Sequence, residues 1–326
     1  MHWNEIWYGD AFVPRLVRTV LTPPSWAYTL GWNTYLALYS SGLKRPSRPH
    51  RPVLCVGNLT VGGTGKTPLT MFLAEELKLL GYDVAISCSG YGSPASEDAA
   101  LAPTTDLAAA KWGDEASLLR WKLPGVTLIV GRNRVRAAEL CQENFPNSVL
   151  LMDDGFQHLP LSKDITILIE SSSPNRRCLP AGPYREPFSH RKRATLVLHD
   201  EFKIESLPMA FVAASNGQVR PTPARANSLC ALGSPETFFD ALRSFGVQLE
   251  TAIAKPDHAP LQEADLFKAI SPDLPLVVTA KDWVKLRERV DLDGREILVA
   301  EHEVEVRPRS EFASWLQERL NEVVEK

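Results

Sequence analysis

A glycine-rich segment between an apolar run and a helical pattern constrains the fold of this chain more than any other feature. The segment Val56–Thr70 (VGNLTVGGTGKTPLT) places three glycines within four residues, directly before Lys66 and Thr67. Glycine lets successive backbone N–H groups point toward one site because no Cβ stands in the way. A helix that begins near the lysine adds the partial positive charge of its N-terminus. The sequence therefore predicts a strand, a phosphate-binding loop and a helix.

The predicted phosphate contacts come from one run of consecutive residues. They are Thr60, Val61, Gly62, Gly63, Thr64, Gly65, Lys66 and Thr67. We expect Lys66 to reach the β- and γ-phosphates of a nucleotide and the Thr67 hydroxyl to bind Mg²⁺. The general pattern G-x-x-x-x-G-K-[ST] has glycine where this chain has Thr60, so Gly62 and Gly63 would supply the turn. The alternative is a flexible glycine loop with a lysine beside it by chance.

Two adjacent carboxylates follow a second apolar run. Asp153 and Asp154 come directly after Val149–Met152. Neighbouring carboxylates at a strand end are costly to bury without a cation. The pair therefore indicates a Mg²⁺ site, to which one of the two aspartates contributes directly or through water. A solvated turn is the alternative.

Short apolar runs alternate with helical spacing from Pro52 onward. The candidate strands are 53–56, 83–87, 126–130, 149–152, 165–169, 195–198, 210–214 and 276–279. Continuous apolar runs are typical of a parallel sheet covered on both faces. We predict an α/β fold with a mostly parallel sheet of the P-loop NTPase type and a smaller C-terminal α/β lobe. The expected boundaries are 1–45, 46–215 and 216–326, the last placed at the polar stretch Asn216–Asn227.

The first 40 residues are unusually aromatic. Four of the eight tryptophans and four of the seven tyrosines lie there: Trp3, Trp7, Trp26, Trp32, Tyr8, Tyr28, Tyr35 and Tyr39. Pro23, Pro24 and several polar residues argue against a membrane-spanning helix. Aromatic rings prefer the membrane–water interface, so helices lying in a membrane surface are one interpretation. A helix packed on the protein's own core, or a contact between copies, is the other.

The overall composition excludes several classes of protein. The formal net charge of −3 gives no indication of nucleic-acid binding. Five scattered cysteines without a C-x-x-C pair argue against a zinc ribbon and a disulfide framework and suit a reducing compartment. The first residues include Glu5 and Asp10 and do not resemble a cleavable signal. The segment Thr279–Asp282 (TAKD) has its lysine one place too late for a guanine-binding N/T-K-x-D motif.

The order of motifs resembles the tetraacyldisaccharide 4′-kinase family, the lipid A 4′-kinases of Gram-negative bacteria. The matching segments are 57–68 (GNLTVGGTGKTP), 113–115 (GDE), 153–158 (DDGFQH), 179–187 (LPAGPYREP), 256–258 (PDH) and 279–282 (TAKD). The family's own glycine loop also lacks the first glycine. Two positions depart from the family pattern: Ser89 replaces an arginine that could face phosphate, and Ala280 replaces a glutamate.

The resemblance implies a reaction and a location. ATP would donate its γ-phosphate to the 4′-hydroxyl of a tetraacylated disaccharide 1-phosphate, with Mg²⁺ as cofactor, at the cytoplasmic face of the inner membrane. The implied residues are Lys66 and Arg185 on phosphate, Thr67 with Asp153 or Asp154 on metal, and Asp114 paired with His258 as the base. Glu115, Glu186 and His158 are carried over as further site residues. The rival interpretations are a P-loop ATPase that acts as a switch or chaperone and a small-molecule ligase.

Overall fold

A computed structural model describes residues 3–91, 93–171, 173–199, 201–257, 259, 261, 270–287 and 294–325. The chain forms two compact units. The first unit consists of residues 1–87, 133–204 and 306–326, and the second of residues 88–132 and 205–305. These ranges differ from the sequence-based boundaries. Residues 88–132 belong to the second unit although they lie within the sequence of the first, and residues 306–326 belong to the first unit. Contacts between residues far apart in the sequence determine this division, and no local sequence pattern indicates them.

Strands and helices alternate along most of the described chain. The strands are β1 (Val53–Asn58), β2 (Val84–Cys88), β3 (Ala99–Leu101), β4 (Thr127–Gly131), β5 (Val149–Met152), β6 (Ile165–Ile169), β7 (Leu196–Leu198), β8 (Lys203–Ser206), β9 (Ala210–Ala213), β10 (Val219–Arg220), β11 (Arg225–Ala231), β12 (Gln248–Lys255), β13 (Leu276–Thr279), β14 (Ile297–Glu301) and β15 (Val304–Arg307). The α-helices are α1 (Trp3–Tyr8), α2 (Phe12–Ser40), α3 (Lys66–Leu79), α4 (Ala109–Trp112), α5 (Asp114–Lys122), α6 (Arg134–Asn144), α7 (Pro235–Ser244), α8 (Ala280–Leu286) and α9 (Arg309–Val324). Residues 94–96 and 188–193 form 3₁₀ turns.

The first unit contains a parallel sheet with strand order β2-β5-β1-β6-β7. The central strand β1 is buried along its whole length, and so are β5 and β6. Cys55 of β1 pairs with Met152 of β5 on one side and with Thr166 of β6 on the other. Because parallel strands end at the same edge, the loop after β1 and the aspartates after β5 meet there.

The second unit is built on a six-stranded sheet with strand order β10-β9-β14-β13-β11-β12. Strands β12, β11, β13 and β14 are parallel, and β9 and β10 are antiparallel to their neighbours. The predicted polar boundary at 216–227 instead contains β10 and the start of β11. The antiparallel pair β3–β4 and helices α4 and α5 also belong to this unit.

The N-terminal segment is helical. Helix α2 runs for 29 residues and continues through Pro23 and Pro24. Ser25 is buried on one side of this helix, whereas Phe12, Val20 and Trp26 are exposed. In the described part of the chain, no helix has both the length and the apolarity that crossing a membrane requires.

Candidate active site

The glycine-rich loop joins the buried end of β1 to the first turn of α3. Gly62 and Gly65 have φ angles of 102° and 81°, a region that side chains rarely adopt, and Gly65 caps α3. Lys66 is the first residue of the helix. The loop therefore leads the backbone to the N-terminus of α3, and the N-terminus of a helix favours an anion.

Asn58, the last residue of β1, fixes the shape of this loop. It is fully buried. Its side-chain amide donates to the carbonyl oxygen of Thr60 at 2.9 Å and to the hydroxyl of Thr64 at 2.8 Å. Its side-chain oxygen accepts from Lys66 Nζ at 3.3 Å. One buried amide thus restrains both the loop backbone and the direction of the lysine.

The start of the loop is bound to another segment of the first unit. Thr60 forms a β-bridge with Tyr184, and the Val61 N–H donates to the Pro183 carbonyl at 2.9 Å. The sequence predicts that Val61 binds phosphate through its backbone. In the structure this amide joins the glycine-rich loop to the segment that carries Pro183.

Asp153 lies beside the start of α3. Its carboxylate accepts from the Thr67 hydroxyl at 3.1 Å and from the Thr70 hydroxyl at 2.9 Å, and the residue is 3% exposed. The buried Arg134, at the start of α6, donates to the backbone carbonyl of Asp153 at 2.6 Å and to the Ser87 hydroxyl at 2.8 Å. This guanidinium holds the end of β5 in place.

Asp154 faces two cations. Its carboxylate lies 3.6 Å from Lys66 Nζ and 3.0 Å from the Arg185 guanidinium. The residue has a φ of 51°, in the left-handed region, which aspartate tolerates better than most residues. The two aspartates therefore point to different partners, Asp153 to hydroxyls and Asp154 to cations.

The residues after the acidic pair are held by Lys163. Its ammonium group donates to the carbonyl oxygens of Gly155, Phe156 and His158 at 3.1, 3.3 and 2.7 Å. Burial lowers the pKa of Lys163. Burial, with the charges of Lys163 and Arg134, lowers the pKa of His158 to about 4. His158 is therefore neutral at ordinary pH.

Arg185 belongs to a loop that pairs with the glycine-rich loop. Its N–H donates to the Leu59 carbonyl at 2.7 Å. The adjacent Glu186 is completely buried and accepts from Gln157 at 3.0 Å, from His190 Nδ1 at 2.9 Å and from Arg193. Glu186 thus anchors the loop from inside and leaves the Arg185 side chain facing Asp154.

Helix α2 packs on this same loop region. The Tyr28 hydroxyl donates to the Arg185 carbonyl at 2.7 Å, and the Ser25 hydroxyl donates to the Cys178 carbonyl at 2.7 Å. The side-chain oxygen of Asn33 lies 2.9 Å from His190 Nε2. In α1, the indole of Trp7 donates to the Pro180 carbonyl at 3.0 Å. One face of the aromatic segment therefore supports the loop that carries Arg185.

Asp114 lies in the second unit, at the start of α5. Its carboxylate is 3.3 Å from Lys285 Nζ. Glu115 follows it in the first turn of the same helix. His258, the predicted partner of Asp114, lies outside the described residues. Within the first unit, the structure brings five predicted residues together at one sheet edge: Lys66, Thr67, Asp153, Asp154 and Arg185. Asp114 belongs to the second unit, where it pairs with Lys285.

Sequence reasoning missed Asn58, Arg134, Lys163 and Lys285. Asn58 carried a usable signal, because a polar residue that ends a buried strand next to a glycine loop needs a partner. Arg134 and Lys163 bind backbone carbonyl oxygens, and Lys285 pairs with Asp114 of another helix, so no local spacing marks these three residues.

Comparisons with known proteins place the chain beside one family. The family model described as tetraacyldisaccharide-1-P 4′-kinase matches residues 17–321. A tetraacyldisaccharide 4′-kinase from Geobacter sulfurreducens is 35% identical over 314 residues, covering 87% of this chain and 89% of the relative. A protein of the same name from Nitrosococcus oceani is 36% identical over 293 residues, covering 86% and 84%.

One solved structure is similar over nearly the whole chain. It is a crystal structure of LpxK from Aquifex aeolicus in complex with ATP, with a TM-score of 0.79 and 25% sequence identity. The similarity covers 93% of this chain and 99% of that chain. Similarity over almost all of both chains means that both units of this protein have counterparts in that one.

Proposed function

We infer the reaction from one premise: this chain belongs to the tetraacyldisaccharide-1-P 4′-kinase family. It is an ATP-dependent kinase of lipid A biosynthesis. The substrates are ATP and a tetraacyldisaccharide 1-phosphate, whose 4′-hydroxyl receives the γ-phosphate. The observation that carries this function is the position of Lys66 and Thr67 at the start of α3, beside Asp153 and Asp154.

Phosphoryl transfer requires positioning and charge neutralisation more than covalent chemistry by the protein. The loop N–H groups from Gly62 to Thr67 and the ammonium of Lys66 would hold the β- and γ-phosphates. Arg185 would add a second cation on the transferred group. The Asp154 carboxylate faces both cations. The phosphates would compete with it for them.

The donors beside α3 fit Mg²⁺. Mg²⁺ prefers oxygen ligands and is bound in kinases by one or two protein groups together with the substrate phosphates. The Thr67 hydroxyl and the Asp153 carboxylate are 3.1 Å apart and supply two such oxygens. The metal would neutralise charge on the transferred phosphate.

A sugar hydroxyl is a weak nucleophile, so a group that accepts its proton during transfer is expected. Asp114 is the residue that the family resemblance assigns to this role, with His258 beside it. The neutral His158 does not compete for the role, because a histidine with a pKa of about 4 is a poor base at neutral pH. Asp114 would accept the proton of the 4′-hydroxyl.

The acyl chains of the acceptor favour an enzyme that works at a membrane surface. Six exposed apolar side chains on α2 support this location: Phe12, Val13, Leu16, Val20, Trp26 and Leu30. A helix of this kind lies in the headgroup region with its apolar side chains toward the acyl boundary. We expect the cytoplasmic face of the inner membrane, with peripheral attachment. Replacing Phe12, Val20 and Trp26 by serine should release the protein from anionic lipid vesicles, whereas replacing the exposed Leu79 and Val219 should not.

The test is to follow the γ-phosphate. The protein is incubated with γ-labelled ATP, Mg²⁺ and the disaccharide lipid in detergent, and the label is separated into lipid and free phosphate. We expect label on the lipid, attached at the 4′-oxygen by NMR, at a rate well above release of free phosphate. Label found only in free phosphate would contradict the kinase and favour a switch ATPase.

A further inference from the structure

We propose that Lys285 is a positioning residue that orients Asp114 for the reaction, with Asp282 as its buried anchor. The proposal rests on the proposed function, because it takes Asp114 as the group that receives the proton. None of the sequence patterns marks Lys285, and the motif TAKD at 279–282 has no role in binding guanine.

The three side chains form a row within the second unit. Lys285 Nζ lies 3.3 Å from Asp114 Oδ2 and 3.5 Å from Asp282 Oδ1. The side chains of Lys285 and Asp282 are 5% and 0% exposed, and that of Asp114 is 16% exposed. The ammonium group therefore lies between a buried carboxylate and one that reaches the surface.

Asp282 is fixed independently of Lys285. Its carboxylate accepts from the Thr279 hydroxyl at 2.7 Å and from the Ala231 N–H at 3.1 Å. Thr279 also caps α8, because its side chain accepts from the Asp282 N–H at 3.1 Å. Burial raises the pKa of Asp282, and these hydrogen bonds and the charge of Lys285 act against that rise. The motif TAKD thus builds a rigid acceptor for a lysine one helical turn later.

Stability alone does not account for a buried cation at this place. Buried ion pairs often contribute no more to stability than apolar residues of similar volume. Helix α5 packs against α8, and the Lys285–Asp114 pair lies where the two helices meet. Of the two carboxylate partners of Lys285, Asp282 is fully buried, and Asp114 is the one that reaches the surface.

The experiment compares kcat and the KM for ATP in four proteins: wild type, Lys285→Met, Asp114→Asn and the double variant. We expect Lys285→Met to lower kcat by about 10- to 100-fold, the range seen when a partner that orients a reactive group is lost. The KM for ATP should change by less than about twofold, because the phosphate loop is unaltered. In the Asp114→Asn background, Lys285→Met should lower kcat by no more than about twofold, because coupled groups are not additive.

Two further variants separate positioning from folding. Lys285→Arg keeps the charge and should retain more activity than Lys285→Met. Lys285→Met/Asp282→Asn removes the buried charges together, so it should fold even if Lys285→Met does not, and its kcat should still be low. Arg120→Met is the matched control: it removes a buried cation from α5 that donates to the Pro124 and Val126 carbonyls, so it should lower the Tm and leave kcat near wild type.

The outcomes distinguish this proposal from the proposed function. If Lys285→Met lowers kcat as much in Asp114→Asn as in wild type, or if Lys285→Met/Asp282→Asn has wild-type kcat, Lys285 does not act through Asp114, and the kinase assignment is untouched. If Asp114→Asn itself keeps wild-type kcat, the role of Asp114 fails, and the Lys285 proposal fails with it.

Discussion

Two regions of the molecule hold charged side chains next to one another, and they differ in how the sequence places those residues. The first, the loop edge, is the sheet edge of the first unit where Lys66 and Thr67 lie beside the aspartates after β5. The second, the Asp114 cluster, consists of Asp114, Asp282 and Lys285 in the second unit. At the loop edge, Lys66 and Thr67 are neighbours in sequence, and the loop shape places them. In the cluster, Asp114, Asp282 and Lys285 come from two helices separated by more than 150 residues. A glycine-rich motif of consecutive residues can be recognised in the sequence. The contacts that orient Asp114 join residues far apart in the sequence, so only the folded structure shows them.

The two regions also differ in how their charges are held. Asp154, with its side chain 27% exposed, faces Lys66 and Arg185, which a ligand can reach. The side chains of Lys285 and Asp282 are buried, so solvent does not reach their ion pair. We therefore expect variants at the loop edge to affect nucleotide binding and turnover, and variants in the cluster to affect turnover alone.

The largest expected effect is that of Asp114→Ala. Loss of a general base lowers kcat by about 10²- to 10⁴-fold. ATP binding, measured by calorimetry, should change little, since the phosphate loop belongs to the other unit. A near-wild-type kcat would remove Asp114 from the mechanism and leave only the loop edge as a functional region.

Arg185→Met should have a smaller effect than Asp114→Ala. Removing a cation from the transferred phosphate is expected to lower kcat by roughly 100-fold, as for other groups that stabilise developing charge. The exposed Arg177 of the same unit is the matched control, and Arg177→Met should retain wild-type kcat. Equal kcat values for both variants would mean that Arg185 serves only to neutralise Asp154.

Tyr28→Phe tests whether the aromatic segment supports the loop edge. The change removes one hydrogen bond to the Arg185 carbonyl, worth on the order of 1 kcal/mol, and should lower kcat by up to about 10-fold. Tyr39→Phe on the same helix is the control and should leave kcat unchanged. If both variants behave like wild type, α2 acts as a surface helix without influence on Arg185.

The smallest expected effect concerns His158 and pH. The pKa of His158 in the folded protein is about 4, below the ordinary value near 6.5. Between these two pH values the unfolded chain therefore binds a proton at His158 that the folded protein does not bind. The free energy of unfolding should therefore fall as the pH decreases from about 6.5 to about 4, by on the order of 1 kcal/mol after allowance for partial exposure. Urea unfolding of wild type and His158→Gln at pH 7 and pH 4.5 checks this, and the variant should lose less. An equal loss in both proteins would contradict a neutral, buried His158.

The same difference explains what the sequence could predict. The strands at 149–152, 165–169 and 276–279 have the bounds that the sequence predicts, because continuous apolar runs between helices are a local signal. Strand β12 was missed although its residues alternate between exposed and partly buried, a period of two that was available in the sequence. The membership of residues 88–132 in the second unit had no local signal at all.

Within the candidate site, the sequence could not predict the contacts that depend on the three-dimensional fold. The proximity of Lys66 and Thr67 to the aspartates after β5 could be predicted, because parallel strands end at the same edge of a sheet. The engagement of the Val61 amide by Pro183 could not, since it depends on a loop more than 100 residues away. Arg134 and Lys163 bind backbone carbonyls, which every sequence offers equally.

The most direct test of the account is transfer of labelled phosphate from ATP to the disaccharide lipid by Lys66→Ala, beside Lys78→Ala as the control. Lys78 is an exposed lysine in the last turn of the same helix. We predict that Lys66→Ala lowers kcat by about 10³-fold, since its cation neutralises charge on the transferred group, and that Lys78→Ala equals wild type. Wild-type transfer by Lys66→Ala would contradict the claim that the start of α3 holds the phosphate that this enzyme moves.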